Sequence, residues 1–210
     1  MDNPLFWQGL LFGVGIAAPV GPIGVLTIRR TLTEGLLIGL LTGLGAATAD
    51  ALYGSVAALG LTAVSNFLIQ YQTWLRLGGG LFLLYLGLKT LRLPAATNAP
   101  QSAASNPKSQ IALLHAYTTT LFLTLSNPVT ILSFTAVFAG FGLGSQTHGA
   151  GAGVQLVLGV FLGSALWWLT LCLAVTAVRA RLSPTVFRLI NLASGLILIG
   201  FSLALLFTGL

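Results

Sequence analysis

Long apolar runs recur from one end of this chain to the other, and only 6% of its 210 residues are charged. Soluble domains carry about 25% charged residues, whereas about 20 consecutive apolar residues are enough for a helix to cross a bilayer. A helix also satisfies its own backbone hydrogen bonds, as the lipid interior requires. The pattern therefore predicts an all-α integral membrane protein whose main surroundings are the lipid bilayer.

The apolar runs predict six transmembrane helices. They cover residues 5–28, 35–61, 74–88, 111–143, 153–178 and 186–207. The segment 89–110 between the third and fourth spans is rich in Pro, Ser, Ala and Asn, a composition that does not bury enough apolar surface to order itself. We interpret it as a linker between two units, 1–88 and 111–210. Because each unit has three spans, the two enter the membrane in opposite directions, as two inverted three-helix repeats.

Two of these spans contain helix-breaking residues. The first span carries Pro19, Gly21 and Pro22, and the fourth carries Asn127 followed by Pro128. Proline removes an amide donor and clashes with the preceding turn, so these positions predict breaks in spans one and four. Such a break is either a packing kink or part of a binding site, and paired breaks are a good sequence pointer to a transporter's substrate site. We expect a solute to bind between them.

Asp50 is the one acidic residue of the chain that falls at membrane depth, about fifteen residues into the second span. An aspartate at the centre of a membrane helix costs about 2.5–3.5 kcal/mol on insertion scales, and such residues mark ion paths or proton relays. Tyr53 follows one turn later, on the same helix face. We expect Asp50 to bind a proton or a substrate ammonium. The alternative is a neutral carboxyl that joins helices through hydrogen bonds.

Two further side chains are candidates for lining the site. Thr130 belongs to the hydroxyl-rich stretch around Asn127, and Trp168 lies deep in the fifth span. Hydroxyls near a helix break can bind a zwitterion without bearing charge themselves. Alternatively, they satisfy the backbone of their own helix, and Trp168 packs in the core.

Glycines repeat every four residues in two spans, at Gly35, Gly39 and Gly43 and again at Gly159 and Gly163. This spacing is typical of helices that approach each other closely. The partner helix lies either within the chain or in a second copy, so a homodimer is possible.

Eight of the nine basic residues lie in or beside the connections that follow spans one, three and five, beginning with Arg29 and Arg30. The positive-inside rule then places these connections, including 89–110, in the cytoplasm and both termini outside it. The basic residues form no aromatic-interleaved patch, so nucleic acid is not an expected partner.

Motifs of several enzyme classes are missing from the sequence. It has no Gly-Lys-Ser phosphate loop, no His, Cys, Asp and Glu at metal-ligand spacing, and no Ser/His/Asp set on plausible elements. We therefore expect no enzyme activity, no cofactor and no metal site.

At these positions the chain resembles the LysE/RhtB family of bacterial amino-acid exporters. The first match is Pro19-Val20-Gly21-Pro22 with the basic pair Arg29-Arg30 after it, the second is the acid at Asp50, and the third is Asn127-Pro128. The resemblance implies six helices in two inverted repeats. It also implies export of small amino acids or related metabolites across the bacterial inner membrane, driven by the proton gradient.

The leading hypothesis is a secondary exporter that works by alternating access around a midplane site. That site would comprise the two breaks, Asp50 and its neighbours, and the coupling partner would be a proton. One alternative is an exporter of metal or other ions, although a bare calcium ion wants six or more oxygen ligands. Another alternative is a membrane scaffold that moves nothing, although such a scaffold needs neither a costly acid nor paired breaks.

Overall fold

The computed structural model describes residues 4–19, 21–58, 70–92, 110–127, 130, 133–134, 150–179 and 181–207. Helices dominate these ranges, and seven of them have described bounds. They are α1 (Pro4–Ala17), α2 (Pro22–Glu34), α3 (Leu36–Ala58), α4 (Gln72–Arg92), α5 (Gln110–Leu125), α6 (Ala150–Arg179) and α7 (Pro184–Phe207).

The first predicted break separates α1 from α2. Gly21 adopts an extended conformation at φ −111° and ψ −167°, and Pro22 occupies the first turn of α2. Proline suits this position because its fixed φ is helical and its missing amide has no partner there in any case. The two helices are inclined at 79° to each other. Span one is therefore two helices that meet at a sharp bend, and the second extends to Glu34.

The second predicted break follows α5. This helix ends at Leu125, and Ser126 and Asn127 leave it in a turn whose amides bond to Phe122 and Thr124 carbonyls. Pro128 lies outside the described residues. The helical part of the fourth predicted span is thus 16 residues long up to this point.

A tight turn at Gly35 joins α2 to α3. Its φ of 97° lies in the left-handed region that favours glycine. The Gly35 amide donates hydrogen bonds to the carbonyls of Arg30 and Thr31, at 3.1 and 3.2 Å, and so closes the last turn of α2. Because α3 begins at the next residue, it turns back at once along the helix that precedes it.

Helix α2 lies at the centre of the packing. It contacts α3, α5, α6 and α7, while α1 packs along α6 and α4 packs along α7. Burial extends around most of the circumference of α2. The buried residues are Pro22, Ile23, Gly24, Val25, Leu26, Thr27, Arg30, Thr31 and Leu32. A short helix with two arginines therefore occupies the interior, and longer apolar helices surround it.

Three of the described helices are long and apolar enough to cross a membrane, within Leu36–Val56, Gly153–Arg179 and Thr185–Phe207. The bent pair α1 and α2 makes four if it counts as one span. Large apolar side chains on the outside of these helices, such as Leu166 and Leu196, are exposed as a lipid-facing surface requires. The described ranges are all helical, as expected for an all-α integral membrane protein. The six-span layout, the inverted repeats and the division into 1–88, 89–110 and 111–210 stay predictions, and most of the predicted linker lies outside the described residues.

The glycine repeats pack helices of this chain against each other. Gly159 and Gly163 of α6 face the backbone of α1 at Phe6 and Leu10. Gly9 and Gly13 of α1 face the α6 backbone in return, and Gly43 of α3 faces the base of the Trp168 side chain. These glycines therefore have partners within the chain and give no support to the homodimer, which stays a prediction.

The structure corrects the interpretation of Arg29 and Arg30 as residues of a connection after span one. Both lie within α2, and Arg30 is only 5% exposed. The prediction was wrong because the second half of α2 is polar, and a polar stretch after an apolar run resembles a loop in the sequence. The positions of the termini relative to the cytoplasm stay a prediction.

The contact between α1 and α6 predicts opposite outcomes for two glycines of α1. A Cβ at Gly13 would collide with the Val160 carbonyl and lie 2.8 Å from the Ser164 nitrogen, whereas a Cβ at Gly15 would meet no heavy atom within 4 Å. We expect Gly13→Ala to destabilise the protein by about 1–3 kcal/mol through overpacking. Gly15→Ala is the matched control and should be neutral or mildly stabilising. Thermal unfolding of the purified protein in detergent measures both, and equal midpoints would contradict the packing of α1 on α6.

Candidate functional site

A cavity lies where the two breaks approach each other. It is lined by the start of α2, the middle of α4, the end of α5 with the turn after it, and the last turns of α7. The lining residues are Pro22, Ile23, Gly79, Leu83, Leu123, Ser126, Asn127 and Leu205. Pro22 and Asn127, from breaks that are about a hundred positions apart in sequence, thus share one small space.

Two hydroxyls at this end of α5 differ from the other hydroxyls of the helix. Thr118 and Thr120 donate to carbonyls one turn earlier, at 2.8 and 3.0 Å, as polar side chains in apolar helices commonly do. The hydroxyls of Thr124 and Ser126 are buried and have no hydrogen-bond partner among the described residues. Leaving such a group unsatisfied costs about 1–3 kcal/mol, and Ser126 lines the cavity whereas Thr124 does not, so the Ser126 hydroxyl is the candidate for binding a solute.

Asp50 is buried between α3 and α6. Its Oδ2 accepts a hydrogen bond from the Ser164 hydroxyl at 2.7 Å, and the side chain is 3% exposed. Within the described ranges the carboxyl has no ion pair with a basic residue, and it is not among the residues that line the cavity. Asp50 is therefore held separately from the space between the breaks.

Tyr53 connects the helix of Asp50 with the second break. Its hydroxyl donates a hydrogen bond to the carbonyl of Leu125 at 2.6 Å, and its ring lies 5.4 Å from the ring of Phe134. Leu125 is the last residue of α5, where carbonyls lack a partner within the helix. Tyr53 thus joins α3, one turn beyond Asp50, to the end of α5.

Trp168 lies beside the first break. It is buried in a cluster with Ala17, the last residue of α1, and with Ile23 of α2. Its indole Nε1 is buried and has no hydrogen-bond partner in the part of the chain that the structure describes. The ring therefore packs in the core, Trp168 is not among the residues that line the cavity, and a role for it in binding stays a prediction.

The predicted site residues that the structure describes divide into four sets. Pro22 and Asn127 line the cavity, and Tyr53 and Trp168 adjoin the two breaks. Asp50 lies apart with Ser164. Pro19 is exposed, Gly21 has open space where a Cβ would be, and Thr130 is buried outside the cavity lining.

Sequence reasoning missed two polar residues of the interior. Ser164 is the partner of Asp50, and serine in an apolar helix gave no sign of that contact. Arg30 donates from Nη1 to the Thr42 hydroxyl, the Thr120 hydroxyl and the Ala116 carbonyl, at 3.2, 3.3 and 3.1 Å. The sequence did contain a signal for the burial of Arg30. Ile23, Thr27 and Arg30 have helical spacing, which places them on one face of a helix that starts at Pro22.

The neighbouring Arg29 joins α2 to two other helices. Its Nε donates to Asn191 Oδ1 of α7 at 3.0 Å, and Asn191 Nδ2 donates to the Thr90 carbonyl of α4 at 2.9 Å. The last turns of α2 are therefore bonded to α3 and α5 through Arg30 and to α4 and α7 through Arg29 and Asn191. The described residues contain no group of three or more His, Cys, Asp or Glu side chains suited to a metal ion.

Comparison with known proteins places this architecture in a family. The family model described as "LysE type translocator" matches residues 14–209. The "Putative amino acid efflux protein YcgF" of Bacillus subtilis is 29% identical over 182 residues, covering 84% of this chain and 82% of the relative. The "Uncharacterized membrane protein YahN" of Escherichia coli is 27% identical over 184 residues, with coverage of 87% and 80%.

A third relative, the "Chemotactic transduction protein ChpE" of Pseudomonas aeruginosa, is 28% identical over 199 residues, covering 93% of this chain and 94% of the relative. No solved structure gives a significant match. Because the family model extends over nearly the whole chain, the resemblance noted from its motifs is confirmed. The protein belongs to the LysE type translocator family and is a multi-pass membrane transporter.

Proposed function

We propose that this transporter exports amino acids or closely related small metabolites from bacteria across the inner membrane, by proton-coupled alternating access. The observation that carries the proposal is the cavity at which the two broken segments meet, with a buried hydroxyl that lacks a partner among the described residues. The relative from Bacillus subtilis, named as an amino acid efflux protein, supports the same class of substrate.

The proposed substrate site is the cavity between Pro22 and Asn127. Its walls are largely apolar, from Ile23, Leu83 and Leu123, and its polar groups come from the turn after α5. The cavity volume is about 10 Å³, close to that of one water, so the surrounding helices must separate before a small solute with an apolar part and a few hydrogen-bonding groups can bind there. The Ser126 hydroxyl lines the cavity and is the group proposed to hydrogen-bond such a solute.

Asp50 is the proposed proton site. Its described polar contact is the neutral hydroxyl of Ser164, so loss of the proton would leave a charge between α3 and α6 with one hydrogen bond to stabilise it. Proton binding therefore favours the packing seen here, and proton release favours a rearrangement of these helices. The hydrogen bond from Tyr53 to Leu125 would transmit this change to the substrate cavity.

The role of Asp50 predicts a separation of exchange from coupled export. In proteoliposomes, Asp50→Asn should lower export driven by a pH gradient at least about tenfold, because an amide at this position carries no exchangeable charge. Counterflow of amino acids without a gradient should persist. Ser164→Ala is the matched control, since it removes the hydrogen bond and keeps the carboxyl. Export by Asp50→Asn that still responds to the pH gradient would contradict the role of this residue.

The position of the cavity predicts a contrast between two leucines of α4. Leu83 lines the cavity, whereas Leu81 is 59% exposed on the same helix. We expect Leu83→Phe to reduce counterflow several-fold because the larger ring fills the space available to the substrate. Leu81→Phe should transport like the wild type. Equal counterflow in the two variants, at equal amounts of inserted protein, would place the substrate elsewhere.

A further inference from the structure

Apart from Arg76, every basic residue that the structure describes lies at one end of the helix bundle, where α2, α4 and α6 end and α7 begins. These residues are Arg29, Arg30, Lys89, Arg92, Arg179, Arg181 and Arg188. The contact of Arg29 with Asn191 joins the end of α2 to the start of α7, and the contact of Thr31 with Cys172 joins it to the second half of α6. Positive charge is therefore concentrated at this end.

The chain contains too few acidic residues to balance that charge. It has three, which are Asp2, Glu34 and Asp50. Glu34 lies at this end, and its charge acts on Arg29 and Arg30. Asp50 is hydrogen-bonded inside the bundle. Asp2 lies outside the described residues and precedes α1, which begins beside the first half of α6 and not beside its end. Neutralisation of the remaining basic side chains is thus left to groups outside the chain.

Helices α4 and α7 run antiparallel along each other, so that the end of one lies beside the start of the other. The Ser202 hydroxyl donates to the Gly80 carbonyl at 2.8 Å, and the Asn191 side-chain amide donates to the Thr90 carbonyl at 2.9 Å. Because α4 ends two residues beyond Thr90, the second of these bonds lies where α4 is about to end.

Three arginines surround the bond between Asn191 and Thr90. Arg92 follows Thr90 by two residues, which is about 3 Å along α4. Arg188 precedes Asn191 by three residues and lies on the same face of α7. Arg29 donates from Nε to Asn191 Oδ1 at 3.0 Å, and its Nη1 and Nη2 make no hydrogen bond within the described ranges. Arg29 is partly buried, whereas Arg92 and Arg188 are exposed.

Helix dipoles explain only part of this arrangement. Lys89 and Arg92 lie in the last turn of α4, where the dipole of the helix favours a cation. Arg188, in contrast, lies one turn into α7, near the end where the dipole of that helix favours an anion. The proximity of Arg188 to Arg92 and Arg29 is therefore better explained by an anion that binds between them.

Exposed apolar side chains continue from the two exposed arginines toward the middle of the bundle. On α4 they precede Arg92 at helical spacing, and on α7 they follow Arg188 at helical spacing. They are Leu81, Tyr85 and Leu88 on α4 and Leu192 and Leu196 on α7. A phospholipid has the same order of groups, since its charged head lies at the membrane surface and its acyl chains point toward the bilayer centre.

We propose that the surface where α4 ends and α7 begins binds the headgroup of an anionic phospholipid. Arg29, Arg92 and Arg188 contact the phosphate, and the acyl chains lie along the exposed apolar side chains of α4 and α7. Basic sites between membrane helices are suited to such headgroups. This inference goes beyond the export proposal and does not depend on which solute is transported.

Binding at this surface also concerns α2, to which Arg29 belongs. A headgroup that contacts all three arginines joins the end of α2 to α4 and α7. Because α2 contacts four other helices, a lipid bound there should stabilise the whole described fold. Stabilisation of the folded protein is therefore a suitable measure of binding.

The first test uses the wild-type protein, purified in detergent and freed of native lipid. Its thermal unfolding is measured with phosphatidylglycerol, with phosphatidylcholine of the same acyl chains, and with inorganic phosphate. We expect phosphatidylglycerol to raise the midpoint by several degrees and the other two to change it little. Equal stabilisation by phosphatidylcholine would show that the headgroup charge is not recognised. Equal stabilisation by inorganic phosphate would show an anion site without a lipid. Either result overturns the inference.

The second test removes single charges from the exposed part of the site. We expect Arg92→Gln and Arg188→Gln each to raise the half-stabilising mole fraction of phosphatidylglycerol about fivefold, as loss of one basic residue near an anionic lipid implies. Both side chains are exposed, so neither change should prevent folding.

Arg181→Gln is the matched control for this second test. It removes the same charge from an exposed residue at the same end of the bundle, in the turn before α7. We expect it to change the half-stabilising mole fraction less than about twofold, because Arg181 lies outside the set around Asn191. An effect as large as that of Arg188→Gln would mean that the lipid responds to net charge alone, and the proposed site would then be rejected.

Discussion

The burial of α2 is the constraint on which the rest of the structure depends. This helix carries two arginines and yet contacts four other helices, so its polar groups must be satisfied inside the protein. Arg29 and Arg30 satisfy this requirement through hydrogen bonds to different helices, α7 and α5. The bend at Gly21 and the turn at Gly35 make the arrangement possible. They separate the short helix α2 from α1 before it and from α3 after it, so that α2 can take its own direction through the interior.

The same arrangement creates the cavity that is the candidate site. Because α2 begins at Pro22 inside the protein, its first turn meets the end of α5 and leaves a small space between them. The close contact of α1 with α6, made possible by glycines on both helices, holds the broken segment in position. Charge is divided across this interior, with the guanidinium among hydroxyls on one side and the carboxyl beside Ser164 on the other.

Several parts of this description were predictable, and for definable reasons. Proline and glycine act through local backbone geometry, so the breaks near Pro22 and Asn127 could be located without knowing the fold. The burial of Asp50 followed from its depth in an apolar run. Arg30 was misinterpreted because a basic pair beside an apolar run resembles a cytoplasmic connection between spans. Its burial depends on the bend at Gly21, which places Arg30 inside a second helix and not at the end of the first. Ser164 was missed because one hydroxyl in an apolar helix carries no information about what faces it.

The sequence by itself determined that this protein is helical and lies in the membrane, because composition and apolar run length decide whether a segment can exist in lipid. It also determined where the helices break, because proline and glycine act within a few residues of their own position. Only the tertiary structure decided that the two breaks share a cavity and that the glycines of α6 face α1. It also decided that Asp50 and Arg30 have separate partners. Those facts depend on which helix packs against which, and side chains far apart in the chain meet only when the whole assembly of helices has formed.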